Sequence, residues 1–176
     1  MTVRLRRFRS DGAGAVWALS RIPNIGGTAD PSAPLPLAPL REPPPEFPWL
    51  ADVEASFIDA GGEFLVGHVD GGLVAMGGIR PTDHARAEVK YVRVHPARRR
   101  RGSGRLVMEA LEAAASAPAF EELHLDTASN QPEAVAFYRS LGYEEVGRER
   151  RPEWSWTLVY FRKRLPARGT GDHADI

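Results

Sequence analysis

Between Val92 and Arg105 the chain reads Val-Arg-Val-His-Pro-Ala-Arg-Arg-Arg-Arg-Gly-Ser-Gly-Arg, an apolar strand that runs through a proline into a basic, glycine-containing loop and then a helix. Glycines at 102 and 104 remove the Cβ atoms that would keep an anion off the main chain. A helix opening there aims unpaired N–H groups at that anion. The stretch therefore obliges a strand end, a tight basic turn and a helix N-terminus to meet at one point, which describes a pyrophosphate cradle built mainly from backbone.

The spelling of the loop excludes the commoner phosphate motifs. Gly-x-Gly-x-x-Gly would need a glycine where Val107 stands, and Gly-Lys-Ser/Thr fails because Gly104 is followed by Arg105 and Leu106. What remains is Arg-x-x-Gly-x-Gly, Arg99 to Gly104, preceded by Val-x-Val-x-Pro. Downstream comes Gln131-Pro-Glu-Ala-Val-Ala-Phe-Tyr-Arg-Ser-Leu-Gly-Tyr143. The first segment resembles the acetyl-coenzyme A signature of the GNAT N-acetyltransferase superfamily, Gln/Arg-x-x-Gly-x-Gly/Ala. The second resembles that superfamily's later segment, Asn-x-x-Ala-x-x-apolar-Tyr-x-x-x-Gly-Phe/Tyr. Gln131 stands where Asn is usual, with Asn130 just before it, so an amide is kept. The resemblance extends over about residues 62 to 164.

Composition narrows the alternatives. At 176 residues the chain is long enough for one domain with a real core. Lys plus Arg total 23 and Asp plus Glu total 23, so the overall balance gives no reason to expect a nucleic-acid or membrane partner. The basic loop is a local feature. With 0 cysteines there is no disulfide framework, cysteine nucleophile or thiolate metal site. Ser10 to Ala15 give no apolar core of a signal peptide, and no run approaches the ~18 apolar residues that span a bilayer. The expected compartment is the cytoplasm.

Along the chain, Thr2 to Phe8 alternates as a first strand, and Asp11 is placed to cap a helix carrying Ala15, Val16, Leu19 and Ile22 inward until Pro23 stops it. Residues 23–48 are proline-rich and predict a polyproline-like ordered loop or flap. Leu50 to Ala60 predicts a short helix with Leu50, Val53, Phe57 and Ile58 inward, closed by Gly61-Gly62. Phe64 to Val69 and Leu73 to Ile79 form a hairpin about Asp70-Gly71-Gly72. Ala87 to Val94 is the next strand, with Val89, Tyr91 and Arg93 on one face and Lys90, Val92 and Val94 on the other. Gly104 to Ala115 is a helix with a stripe of Leu106, Val107, Ala110, Leu111 and Ala114, ended by Pro118. Glu121 to Thr127 is a strand, Pro132 to Leu141 a helix closed by Gly142, and Tyr143 to Arg148 and Trp154 to Arg164 are the last strands. Residues 1–165 form one domain, and 166–176 a tail too polar to order itself. The class is α/β (α+β mixed), with helices on both faces of a mixed sheet.

The resemblance adds that the sheet is mostly antiparallel and splays after the strand carrying Val92 and Val94, with acyl-coenzyme A in the cleft. Transfer of an acetyl group from a thioester to an amine needs a neutral amine, stabilisation of an oxyanion and a proton for the departing thiolate. For the oxyanion the resemblance points to the main-chain N–H of Val92, and for the thiolate to Tyr138, whose unperturbed phenol pKa of ~10 keeps it a proton donor at neutral pH. Glu88 is the corresponding base. Cofactor contacts are expected from Val92, Val94, Arg99, Arg100, Arg101, Gly102, Ser103, Gly104, Arg105, Asn130, Gln131, Phe137 and Tyr138. Arginines of the loop could also hold the 3′-phosphate.

Each position has an ordinary explanation beside the functional one. Tyr138 suits the core face of an amphipathic helix, Glu88 a solvated strand, and Asn130 and Gln131 the cap of the helix at Pro132. His95 precedes a turn. His68, His84 and His124 lack metal-ligand spacing, and no metal is expected. Glu153, Trp154 and Trp156 fall near the acceptor end of the resembling fold. The acceptor itself stays open among small amines, amino-acid-like metabolites and protein N-termini, since Asp30, Glu42 and Glu46 are the acids of the proline-rich stretch. The alternative is a non-catalytic module whose cradle binds acyl-coenzyme A, a nucleotide or RNA. Exposed final strands of such sheets often pair between subunits, so a homodimer is also open.

Overall fold

Asp70 and Gly71 both adopt positive φ, 48° and 80°. That is the geometry of a two-residue hairpin turn whose twist matches its strands. In the computed structural model, which describes residues 2–23, 27–117 and 120–167, this turn joins β2 (Glu63–Val69) to β3 (Gly72–Pro81). Around them lie β1 (Arg4–Arg7), α1 (Ala13–Ser20), β4 (Arg86–Val94), α2 (Ser103–Ser116), β5 (Glu122–Ala128), α3 (Pro132–Ser140), β6 (Glu144–Arg150) and β7 (Thr157–Arg164). The strand order is β1-β2-β3-β4-β5-β7-β6, antiparallel throughout except for the parallel pair β4–β5. This is the mixed sheet that the element order predicts, mostly antiparallel as the resemblance implies.

Residues Gly72 to Ile79 of β3 are buried, because the strand is covered on both faces. On one face Val107, Met108 and Leu111 of α2 pack with Val89, Val92, Leu123 and Phe161. On the other, Val16 and Leu19 of α1 pack with Leu50, Phe57, Phe64 and Met76. Gly78 permits the second layer. A Cβ there would lie 2.6 Å from Phe64 Cδ2 and 2.7 Å from Phe57 Cδ1.

Several elements depart from expectation. Asp11 does not cap α1. Its carboxylate sits 3.9 Å from Arg9 Nε, and a short 3-10 turn, Ser10–Gly12, leads into the helix with Gly12 at the cap position. Leu50 to Ala60 is not one helix. It divides into a 3-10 turn, Pro48–Leu50, and a wide turn, Glu54–Ile58, in which the Asp59 N–H reaches back five residues to the Glu54 carbonyl at 2.8 Å. These short turns still bury Leu50, Val53 and Phe57, while Ile58 is half-buried. The buried stripe of α2 runs through Gly104, Val107, Met108, Leu111 and Ala115, leaving Leu106 exposed. Gly104 faces inward, so the helix settles about one residue of rotation from the predicted stripe. Trp154 and Trp156 precede β7 and stack on each other at 5.7 Å. Pro118 as a terminator, and the tail from 168 onward, lie outside the described residues.

No helix among the described residues is long and apolar enough to cross a membrane.

Candidate active site

The site begins with one extra residue in β4. Met76 of β3 faces Arg93, Gly78 faces Lys90, and between them Gly77 stands opposite both Tyr91 and Val92. Tyr91 takes a φ of 55° to absorb the surplus. Such a bulge re-aims every side chain beyond it. Val89, Val92 and Val94 therefore share the α2 side, correcting the simple alternation expected from sequence, while Tyr91 crosses to the other face. There its ring meets Phe47 at 5.4 Å and Phe57 at 6.1 Å.

On the other edge of β4 the sheet has already opened. β4 and β5 pair through Arg86↔Glu122, Ala87↔Leu123 and Glu88↔His124, and have no register partners from Val89 and Leu125 onward. The gap between them is a cleft of about 480 Å³, walled by Lys90 and Arg93 of β4, Asp126 of β5, Tyr138 of α3, and Phe47 and Trp156 from the flanking loops. Val92 lines it too.

A second cavity, about 640 Å³, continues along β4 and α3 to the start of α2. Val94 and Phe137 line this second cavity, and their chain neighbours Arg93 and Tyr138 the first, so the two cavities lie next to each other along β4 and α3. Its basic end is built from Arg98, Arg99, Arg100, Gly102, Ser103, Gly104 and Arg105. The two glycines act differently. Gly102 holds φ at 81° with no atom near the position of a Cβ, so conformation is what demands glycine. Gly104 is a matter of approach, since a Cβ there would lie 3.2 Å from Phe137 Cζ. The first N–H groups of α2 face no helical acceptor, and the buried Oγ of Ser103 has no partner.

The arginine run is not a uniform basic surface. Arg99 turns inward, donating to the Pro23 carbonyl at 2.7 Å and the Val94 carbonyl at 3.3 Å. It thus straps the proline-rich segment to the cradle. His95, buried where the sequence predicts only a residue before a turn, makes a second strap. Its Nε2–H donates to the Pro34 carbonyl at 2.8 Å, while Nδ1 accepts from the Ala97 N–H at 3.1 Å. The Asp30 N–H adds a bond to the Pro96 carbonyl at 3.0 Å. These bonds, and the Leu40 N–H to the Gly14 carbonyl at 3.0 Å, hold residues 27–47 as an ordered loop that carries Phe47 to the cleft.

Tyr138 is buried among Phe137, Tyr143 and Phe161, with ring centroids at 5.2, 5.9 and 6.5 Å. Burial raises its phenol pKa well above the ordinary value, against the opposing pull of Arg93, so it stays protonated at neutral pH. Glu88 is held by Lys90 at 2.9 Å and is not among the residues lining the cleft. Asp126 does line it, and although the residue stays partly exposed, desolvation in the cleft raises its carboxyl above the usual range, with Lys90 opposing and Glu88 reinforcing.

Of the expected cofactor positions, Val92, Gln131 and Tyr138 line the cleft, and Val94, Arg99, Arg100, Gly102, Ser103, Gly104, Arg105 and Phe137 line the cradle. Arg101 and Asn130 are exposed and line neither. Sequence reasoning missed Arg93, Asp126 and Phe47. Asp126 stands between the buried Leu125 and Thr127, which marks a face, but which face opens onto a cleft depends on the splay. Among the described residues no group of three or more His, Asp or Glu is gathered as a metal site.

A sheet opened beside a glycine-lined helix N-terminus is the arrangement expected above of acyl-coenzyme A-dependent transferases. Residues 32–143 match the Acetyltransferase (GNAT) family, and the chain belongs to it. The same fold occurs in a GNAT-family acetyltransferase from Staphylococcus aureus Mu50, with a TM-score of 0.74 at 15% identity, covering 94% of this chain and 100% of that one. It occurs in yncA of Salmonella typhimurium, solved with its cofactor acetyl-CoA, with a TM-score of 0.70 at 16% identity over 98% and 99% of the two chains. A phosphinothricin acetyltransferase from Sinorhizobium meliloti, in complex with acetyl-CoA, gives 0.71 at 17% identity over 94% and 89%.

Proposed function

We propose that this protein transfers an acetyl group from acetyl-CoA to a primary amine, of a small molecule or a protein, by direct attack in a ternary complex. The observation that carries this reading is the pair of neighbouring cavities, one with a buried unpartnered Ser103 Oγ at a helix N-terminus and the other with a buried protonated Tyr138. Those features fit the cofactor. Gly102, Ser103 and Gly104 would hold the pyrophosphate through backbone and hydroxyl, with Arg98, Arg100 and Arg105 around it, and the pantetheine would follow β4 toward the cleft. Bound there, acetyl-CoA supplies an activated acetyl thioester.

The chain's own groups do the rest. Val92 lines the cleft beyond the last β4–β5 pair, and its main-chain N–H would meet the oxygen that gains charge. The amine nitrogen bonds the acetyl carbon and the carbon–sulfur bond breaks. The amine proton leaves to a carboxylate, and the Tyr138 phenol protonates the thiolate. Of the two carboxylates near the cleft, Asp126 lines it and Glu88 is tied to Lys90, which favours Asp126 as the direct acceptor and leaves Glu88 a path through water.

Titration calorimetry with acetyl-CoA, run beside ATP and a short RNA on the wild type and on Gly102→Glu, tests the reading together with amine-dependent thiol release. Acetyl-CoA binding that the variant loses, with thiol released when an amine is added, is the expected result. No acetyl-CoA binding by the wild type would refute it.

A further inference from the structure

Three charged side chains line the cleft: Lys90, Arg93 and Asp126. Lys90 is already paired with Glu88. Arg93 is not paired. Among the described residues no carboxylate forms an ion pair with it, its Nη1 donates to the Val92 carbonyl at 3.0 Å, and its Nε is buried without a partner. Phe47 covers it with a ring 6.0 Å from the guanidinium carbon. A guanidinium withdrawn from water without an anion is costly to a fold, and burial here lowers its pKa.

Such a cation is retained at a substrate site when the substrate brings the anion. We propose that the acceptor is a small primary amine bearing a carboxylate, and that Arg93 receives that carboxylate. This rests on the acetyl-transfer reading and narrows its acceptor class. The guanidinium fork matches a carboxylate with two parallel hydrogen bonds. Asp126, on the opposite strand, meets the amine end, so the cleft's charges, Arg93 on β4 and Asp126 on β5, complement those of an amino acid. The cleft's volume of about 480 Å³ also has to admit the thioester, which keeps the acceptor small. Phe47 and Trp156 give its walls an aromatic character suited to an apolar side chain.

The test compares matched triples of acceptors: glycine, glycinamide and methylamine; free leucine, its amide and isopentylamine; free phenylalanine, its amide and 2-phenylethylamine. Thiol release gives kcat/KM for each, on the wild type and on Arg93→Gln and Arg93→Lys, with folding checked by thermal denaturation. At least one free amino acid is expected to exceed its own amide and amine by about 100-fold, the scale of a charge-assisted pair at a partly buried guanidinium. Arg93→Gln should abolish that ratio, lowering the rate with the free acid far more than the rates with its amide and amine, and Arg93→Lys should keep part of it. A merely structural role would lower all three acceptors together.

Should uncharged amines be acetylated as well as their acids, or the ratio survive in Arg93→Gln, the carboxylate site is overturned and the transferase reading stands. Thermal stabilisation of the acetyl-CoA-loaded protein by free leucine or phenylalanine and not by the amides, lost in Arg93→Gln but without thiol release, would uphold the carboxylate site and refute the transfer.

Discussion

His95 ties the proline-rich loop to the cradle, and His95→Phe removes that tie while keeping a ring of similar size in a fully buried position. Two hydrogen bonds disappear, the Nε2–H to the Pro34 carbonyl and the Ala97 N–H to Nδ1. They do not weigh equally. Pro34 is exposed, so its carbonyl recovers a water, whereas Ala97 is half-buried and its N–H bears most of the loss. A polar group left unsatisfied in a protein costs about 1–3 kcal/mol, so a destabilisation of about 2 kcal/mol is expected. For a chain of this size that lowers Tm by roughly 4–8 °C. The damage should also be local. Hydrogen exchange followed by mass spectrometry should show the Asp30 amide, bonded to the Pro96 carbonyl beside the lost contact, exchanging about tenfold faster. The Leu40 amide, bonded to Gly14 at the far end of the loop, should exchange as in the wild type. His95→Gln, which can still donate to Pro34, should restore part of the Tm. An unchanged Tm with unchanged exchange at Asp30 would refute the strap.

Three further outcomes follow from the geometry. Tyr138→Phe should leave acetyl-CoA affinity in calorimetry unchanged but lower kcat about 100-fold or more, the usual range for a lost general acid; unchanged turnover would remove Tyr138 from the mechanism. As the proposed base, Asp126 would act when ionised, and partial desolvation in the cleft raises its pKa above the ordinary ~3.9, so kcat at saturating amine should fall as pH drops through that raised value. Asp126→Asn should lower kcat and erase this acid limb, and a limb that persists would assign it elsewhere. Gly78→Ala forces a Cβ to 2.6 Å from Phe64 and should cost about 1–3 kcal/mol by denaturant unfolding, while Gly147→Ala, with no atom within 4 Å, should be nearly neutral.

What was legible in the sequence was whatever local chemistry dictates. Asp70-Gly71 announces its turn because few other pairs accept two positive φ values. Pro132 and Gly142 bracket α3 for equally local reasons, the proline within the first turn and the glycine at a φ of 88°. The cradle was readable because its glycines, its helix start and its arginines are contiguous. The cleft was not, because it is made by strands parting. Tyr91 carries no residue-type signal for a φ of 55°, and one surplus residue moves Arg93 to the face opposite Val89. Arg99 is the complementary case. Its charge suggests phosphate, but its guanidinium reaches the carbonyl of Pro23, 76 residues earlier, a contact that no local pattern encodes.

The bulge at Tyr91 joins the two halves of the site through a single backbone irregularity. Without it, β4 would keep its alternation, and Val92 and Val94 could not both lie beneath α2 on the side of Val89. With it, the apolar face continues unbroken under α2, and Tyr91 is carried to the face of the proline-rich loop. A left-handed conformation costs a non-glycine residue about 1–2 kcal/mol. Here the edge-to-face packing of the Tyr91 ring against Phe47 and Phe57 offsets it, since such pairs contribute about 0.5–1.5 kcal/mol each beyond their burial. Phe47 belongs to the loop that His95 and Arg99 strap to the cradle. The bulge beside the cleft is therefore packed against a residue of the same loop that is anchored at the glycine turn, so one segment of chain contacts both ends of the candidate site.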